Sequence, residues 1–150
     1  MGKVKVGIAG LGRLGKVHAH NIAYKIPNAE LTAACSIVSD ELEYAKKELG
    51  VTDVYMDYRE MLAKADIDAV AIVTTSGEHC WQIAAALDAG KHVFSDKPLG
   101  VTLEECKLAE AEVERHPESV FFLGFMRRFD PSYAYAKKRS KKGLSGRLIW

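Results

Sequence analysis

The run Gly7-Ile8-Ala9-Gly10-Leu11-Gly12-Arg13-Leu14-Gly15 constrains this chain more than any other part of it. Gly10, Gly12 and Gly15 stand in GxGxxG spacing directly after an apolar stretch, Lys3 to Ala9, that reads as a short buried strand. Directly after them, Gly15, Ala19, Ile22, Ala23 and Ile26 recur at the spacing of one helix face, until Pro27-Asn28 stops the pattern. A glycine loop between a strand and a helix is a place for a pyrophosphate. The first glycine permits a tight turn, the second lets backbone approach the ligand, and the third lets the helix pack close to the sheet. The free N–H groups and the positive end of the helix then face the anion. A glycine-rich turn without a ligand shares these letters, but not the strand and helix on either side.

The rest of the chain repeats the alternation. Strands are expected at 29–37, 53–56, 67–73, 92–94 and 119–125. Between them fall helices: one capped by Ser39 or Asp40 with Leu42, Ala45 and Leu49 inside, and a short one over 58–65. Another begins at Ser76 with Cys80, Ile83, Ala84 and Leu87 inside, and a further one is capped by Thr102 with Glu105 completing a capping box. A basic helix follows over about 131–142, and 146–150 reads as the start of one more strand. Strands alternating with helices predict an α/β fold, a doubly wound parallel sheet of the Rossmann dinucleotide-binding kind, in one domain over 1–150.

Composition narrows the partners. With 150 residues, 48% apolar and 27% charged, the chain can bury a full core. A formal net charge of +1 gives no reason to expect nucleic acid. The run Lys137-Lys138-Arg139-Ser140-Lys141-Lys142 is better read as a solvated helix end, where cations favour the dipole. The first apolar run is short and broken by glycines, so no membrane partner or leader is expected, and cytoplasm is the default. Cys35, Cys80 and Cys106 lack CxxC spacing and fall in apolar patterns, so they are read as structural and no metal is expected.

At the end of the second strand, a dinucleotide site usually presents a carboxylate to the adenosine ribose. Ser36 stands there instead, twenty-one residues beyond Gly15. A serine can bond a ribose hydroxyl but does not repel a 2′-phosphate, and no arginine adjoins it. The expected cofactor is therefore NAD or NADP, with weak discrimination. Arg13 and Leu14 join the glycines at the phosphates, and Thr74, Thr75 and Ser76 can line the nicotinamide side with hydroxyls. In Phe94-Ser95-Asp96-Lys97-Pro98-Leu99-Gly100, Lys97 leaves the fifth strand on the edge where open α/β sheets bind ligands. A lysine there can take a proton from a substrate hydroxyl while hydride leaves the carbon; a solvent lysine in a loop is the alternative. Asp96 and Pro98 constrain that loop.

Taken together, Gly10-Leu11-Gly12-Arg13-Leu14-Gly15-Lys16-Val17-His18-Ala19-His20, Asp96-Lys97-Pro98-Leu99-Gly100 and Gly124-Phe125-Met126-Arg127-Arg128-Phe129-Asp130-Pro131-Ser132-Tyr133 resemble the glucose–fructose oxidoreductase/inositol dehydrogenase family over the whole chain. The last motif is most similar to its inositol 2-dehydrogenases. The resemblance implies that Lys97 is the catalytic lysine, although most members carry Glu where Asp96 stands, and that Ser36 replaces a usual Asp. It implies Arg127 as a contact for a polyol substrate or the cofactor ribose, with Arg128 expected in structural ion pairs. His79 is kept from a family Pro-Asn-x-x-His pattern and is expected near the cofactor, fixing the loop rather than moving a proton. His18 and His20 are read as structural.

The family's chains are longer, with a second α+β domain for substrate and oligomer contacts that these residues lack. A homo-oligomer, a tetramer by resemblance, is implied for the full-length form. Two alternatives stay open: another sugar oxidoreductase of the family, and a non-catalytic NAD(P)-binding sensor, which would not need Lys97.

Overall fold

A computed structural model describes residues 2–141. The expected strand at 146–150 lies outside the described residues. Six strands form one sheet: β1 (Val4–Ala9), β2 (Ala29–Cys35), β3 (Asp53–Tyr55), β4 (Ala69–Ile72), β5 (His92–Asp96) and β6 (Phe121–Gly124). Their order is β3-β2-β1-β4-β5-β6 and every pairing is parallel. Six helices connect or follow them: α1 (Arg13–Tyr24), α2 (Ser39–Leu49), α3 (Tyr58–Lys64), α4 (His79–Asp88), α5 (Leu103–Arg115) and α6 (Pro131–Lys141). The expected doubly wound α/β fold is present.

Two apolar cores follow from the period of two along each strand. On β4, Val70 and Ile72 enter one core while Ala71, with Val73 just past the strand, enters the other. The first core packs Tyr58, Met61 and Leu62 of α3 with Ile83, Ala86 and Leu87 of α4. The second packs Ala19 and Ile22 of α1 with Ala45 and Leu49 of α2. Burial on both faces explains why the central strands read as nearly continuous apolar runs. Strand β2 breaks the alternation once. Its register against β1 shifts between Val6 and Gly7, which pair with Leu31 and Ala33 and leave Thr32 as an extra residue. Leu31 therefore faces the second core and Ala33 the first.

Several boundaries differ from the sequence expectation. Helix α1 ends at Tyr24, so Ile26 lies past it and is half exposed. At α2 the N-cap position is Val38, with Ser39 and Asp40 already helical. A 3-10 turn, Ser76–Glu78, precedes α4, whose buried face is His79, Gln82, Ile83, Ala86 and Leu87 rather than one centred on Cys80 and Ala84. The capping box of α5 is formed as expected: Thr102 Oγ1 accepts the Glu105 N–H at 3.1 Å, and Glu105 Oε2 accepts the Thr102 N–H at 3.2 Å. Gly50 ends α2 with φ +68°, the left-handed conformation that glycine adopts without strain.

Two expected outcomes follow from this packing. A Cβ at Gly15 would lie 2.0 Å from the Gly10 carbonyl oxygen, whereas at Gly77 nothing lies within 4 Å. Gly15→Ala should therefore cost on the order of 1–3 kcal/mol in urea unfolding, and Gly77→Ala should stay within about 0.5 kcal/mol. The second concerns pH. Burial, with Asp57 adding, pushes the Cys35 thiol up to about 11, and burial raises the Tyr58 phenol as well. In the unfolded chain the thiol ionises near its ordinary value of about 8.5. The folded state then holds more protons, so stability is full below that value and falls as pH rises through 11. Urea midpoints should decline over this window, and decline less in Cys35→Ala.

Candidate functional site

The loops that leave β1, β2 and β4 surround a groove of about 700 Å³ at the carboxyl edge of the sheet. β1 is the switch point: the chain runs outward from it to β2 and β3 on one side, and to β4, β5 and β6 on the other. Loops diverge there and leave a crevice. Gly10 takes φ +87°, and a Cβ on it would meet Val73 O at 2.6 Å. Gly10 N–H donates to Cys35 O at 2.9 Å, which ties the turn to the end of β2. Leu11 is fully buried and anchors the loop from below.

Gly12 differs from its two neighbours. It is the N-cap of α1, no side chain caps the helix, and a Cβ on it would meet nothing within 4 Å. Its surroundings are the open groove, so the space beside its backbone is free for a ligand to approach. The first N–H groups of α1 lack the carbonyl partners that later turns have. An uncapped helix start with glycine at the cap makes a cradle that fits a diphosphate. Arg13 and Leu14, both exposed, stand at the same rim.

The groove brings together Gly10, Gly12, Arg13, Leu14, Gly15, Ser36, Thr74 and Thr75. Ser36 is 6% exposed; its hydroxyl donates to Glu41 Oε2 at 2.5 Å and accepts the Val38 N–H at 3.1 Å. Thr74 turns its hydroxyl to Gln82 Oε1 at 2.6 Å. Glu41 and Gln82 also line the groove, as does Trp81, whose indole N–H donates to Glu78 at 2.6 Å. Counting along the second strand missed Glu41 because its carboxylate returns from α2. Its signal was the glutamate in the first turn of that helix. Gln82 shares the buried face of α4 with His79 among apolar residues.

Ser76, His79, Asp96, Lys97 and Arg127 do not line this groove. His79 is buried, with Nδ1 2.7 Å from Pro98 O and Nε2 3.1 Å from Thr74 O. It clamps the loop after β4 to the loop after β5, the structural role expected for it. Lys97 is exposed at the end of β5, and its peptide bond to Pro98 is cis. In the register Ile72 pairs with Ser95, so Lys97 lies on the same sheet edge as Thr74, one strand further from β1. Beyond it, Asp96 pairs with Gly124, and Arg127 follows in a 3-10 turn, Met126–Phe129.

The structural ion pair expected of Arg128 falls to its neighbour instead. Arg127 Nη1 pairs with Asp130 at 3.3 Å and lies over the Tyr133 ring, while Arg128 stacks on Phe125 and forms no ion pair among the described residues. His18 packs on Phe94 and His20 on Tyr24, in line with structural roles. Asp88, Glu112 and His116 gather within 4.8 Å, and Arg115 pairs with both carboxylates. Among the described residues no helix is long and apolar enough to cross a membrane.

The family model described as an oxidoreductase family with an NAD-binding Rossmann fold matches residues 4–124. A scyllo-inositol 2-dehydrogenase (NAD(+)) of Bacillus subtilis is 39% identical over 99% of this chain and 43% of its own length. The crystal structure of scyllo-inositol dehydrogenase from Lactobacillus casei, with bound NAD(H) and scyllo-inositol, is 54% identical with a TM-score of 0.91, over 96% of this chain and 42% of that one. The myo-inositol 2-dehydrogenase of Lactobacillus plantarum is 41% identical with a TM-score of 0.93, over 98% and 43%. The chain thus spans less than half the length of these relatives. With the groove at its β1 switch point, the glycine cradle at α1 and a family match over most of its length, the chain belongs to the glucose–fructose oxidoreductase/inositol dehydrogenase family and is its NAD-binding Rossmann part.

Proposed function

We propose that this chain is the dinucleotide-binding domain of an NAD(P)-dependent dehydrogenase that oxidises a secondary hydroxyl of a polyol, an inositol above all. The observation that carries the reading is the uncapped start of α1 at Gly12, open to the groove, with Lys97 on the same sheet edge. The cofactor, when bound, supplies a hydride acceptor. The backbone N–H groups of the first turn of α1 hold its diphosphate, with Arg13 and Leu14 at the rim. Ser36 serves the adenosine side, and Thr74, Thr75, Ser76 and Asp96 serve the nicotinamide side, with His79 holding the loop.

Lys97 Nζ accepts the proton of the substrate hydroxyl, and Arg127 offers several fixed donors to a hydroxyl-rich ligand. His79 fixes the Pro98 carbonyl and so holds the loop that carries Lys97. A second α+β domain completes the substrate site and the oligomer, a tetramer, in the longer protein, which is cytoplasmic. A cofactor sensor has no use for a lysine at this edge. The inositol relatives and their length support this assignment of substrate and domains.

Gly12→Val places a side chain where backbone must meet the diphosphate, yet in the free domain that position is open. Calorimetry should show NAD binding lost in the variant while its melting temperature stays within a few degrees of wild type. Equal affinities would remove the loop from the site. In a chain extended by the second domain, Lys97→Met should leave cofactor affinity almost unchanged and lower inositol turnover by roughly two to four orders of magnitude. An unchanged steady-state rate would place the base elsewhere.

A further inference from the structure

At Ser36, where a carboxylate for the adenosine ribose is looked for, the structure supplies one from another element. Glu41 is the third residue of α2, and its Oε2 accepts the Ser36 hydroxyl at 2.5 Å. The same hydroxyl oxygen accepts the Val38 N–H at 3.1 Å. A glutamate three residues past an N-cap ordinarily returns to the N-cap's own N–H. Here Ser36 has taken that N–H, and the glutamate is held one contact further out. Ser36, Val38 and Glu41 all line the groove. The Ser36 side chain is nearly closed to solvent, so its geometry is set by the fold.

We propose that Glu41, aimed by Ser36, is the residue that selects NAD against NADP; this rests on reading the groove as the dinucleotide site. An ionised carboxylate can accept about four hydrogen bonds. The bond from Ser36 leaves capacity for a ribose hydroxyl, while the negative charge repels a 2′-phosphate. Replacing the acid at the end of β2 by serine has therefore moved the charge rather than removed it, and the weak discrimination expected from Ser36 alone gives way to a preference.

Cations on the neighbouring elements do not cancel it. Arg13 is the only lysine or arginine lining the groove among the described residues, and it stands beside Gly12, next to the diphosphate that both cofactors share. Lys16, the next cation along α1, holds its ammonium 4.7 Å from the Tyr44 ring centre. Glu41 acts by direct contact with the cofactor, and Ser36 is a positioning residue.

The test is calorimetric titration of this chain with NAD+ and, separately, NADP+. Wild type should bind NAD+ about tenfold or more tighter, the size of one hydrogen bond to a charged group. Glu41→Gln keeps an acceptor for Ser36 but loses the charge, and should bring the two affinities within about threefold of each other, chiefly by tightening NADP+. Ser36→Ala should narrow the ratio partway, and melting temperatures read alongside separate this from mere loss of a cap. If both variants lose thermal stability while the ratio stays at its wild-type value, Glu41 is only a cap and the proposal fails. Equal wild-type affinities overturn this proposal and leave the groove reading intact. Binding of neither nucleotide overturns both.

Discussion

The contact between Gly15 and the Gly10 carbonyl is the closest approach on which the site depends. With 2.0 Å between that oxygen and the place a Cβ would occupy, helix α1 can begin where it does only because residue 15 has no side chain. The turn at Gly10 is locked from the other side by Val73 at the end of β4. Three elements thus converge on a few backbone atoms, and the helix start is pressed against the switch point of the sheet. Moving α1 outward by the width of a methyl group would widen the cradle and turn its N–H groups away from the crevice.

A second set of constraints comes from polar groups buried on α4. An amphipathic helix against a sheet would ordinarily bury only apolar residues, yet His79 and Gln82 lie on its inner face. Both are satisfied. His79 meets two loop carbonyls, Gln82 accepts from Thr74, and the Gln82 carbonyl accepts the Tyr58 hydroxyl at 2.9 Å. Buried polar groups with partners specify one arrangement, because any other leaves them unpaired in a medium of low dielectric. Helix α4 therefore works as a frame that connects the wall of the groove, through Thr74, to the loop that bears Lys97. The groove and the lysine are separate along the edge but share this support.

Much of this was legible in the one-dimensional pattern because strand and helix impose different periods on apolar residues. The order of elements, the glycine loop, the capping box at Thr102 and the position of Lys97 after β5 are local properties, and the structure holds all of them. Errors arose where a local rule had a competitor. Ile26 continued the helical period, but α1 had already ended at Tyr24, before Pro27. Ser39 and Asp40 are good capping residues, but the Ser36 hydroxyl had already engaged the Val38 N–H and set the helix start one residue earlier. Arg127 and Arg128 are adjacent and chemically alike; only the path of the 3-10 turn decides which of them reaches Asp130.

The sequence by itself determined the parallel doubly wound architecture, the glycine loop before α1 and the lysine at the sheet edge, since each rests on spacing along the chain. It also showed that the end of β2 lacks an acid. What only the tertiary structure decided is that the Glu41 carboxylate meets the Ser36 hydroxyl at the groove. Glu41 belongs to a different element from Ser36, and its carboxylate returns to the groove from the first turn of α2. The same holds for His79, whose two partners come from loops after different strands. Such relations join residues through space, and periodicity, which records only distance along the chain, carries no trace of them.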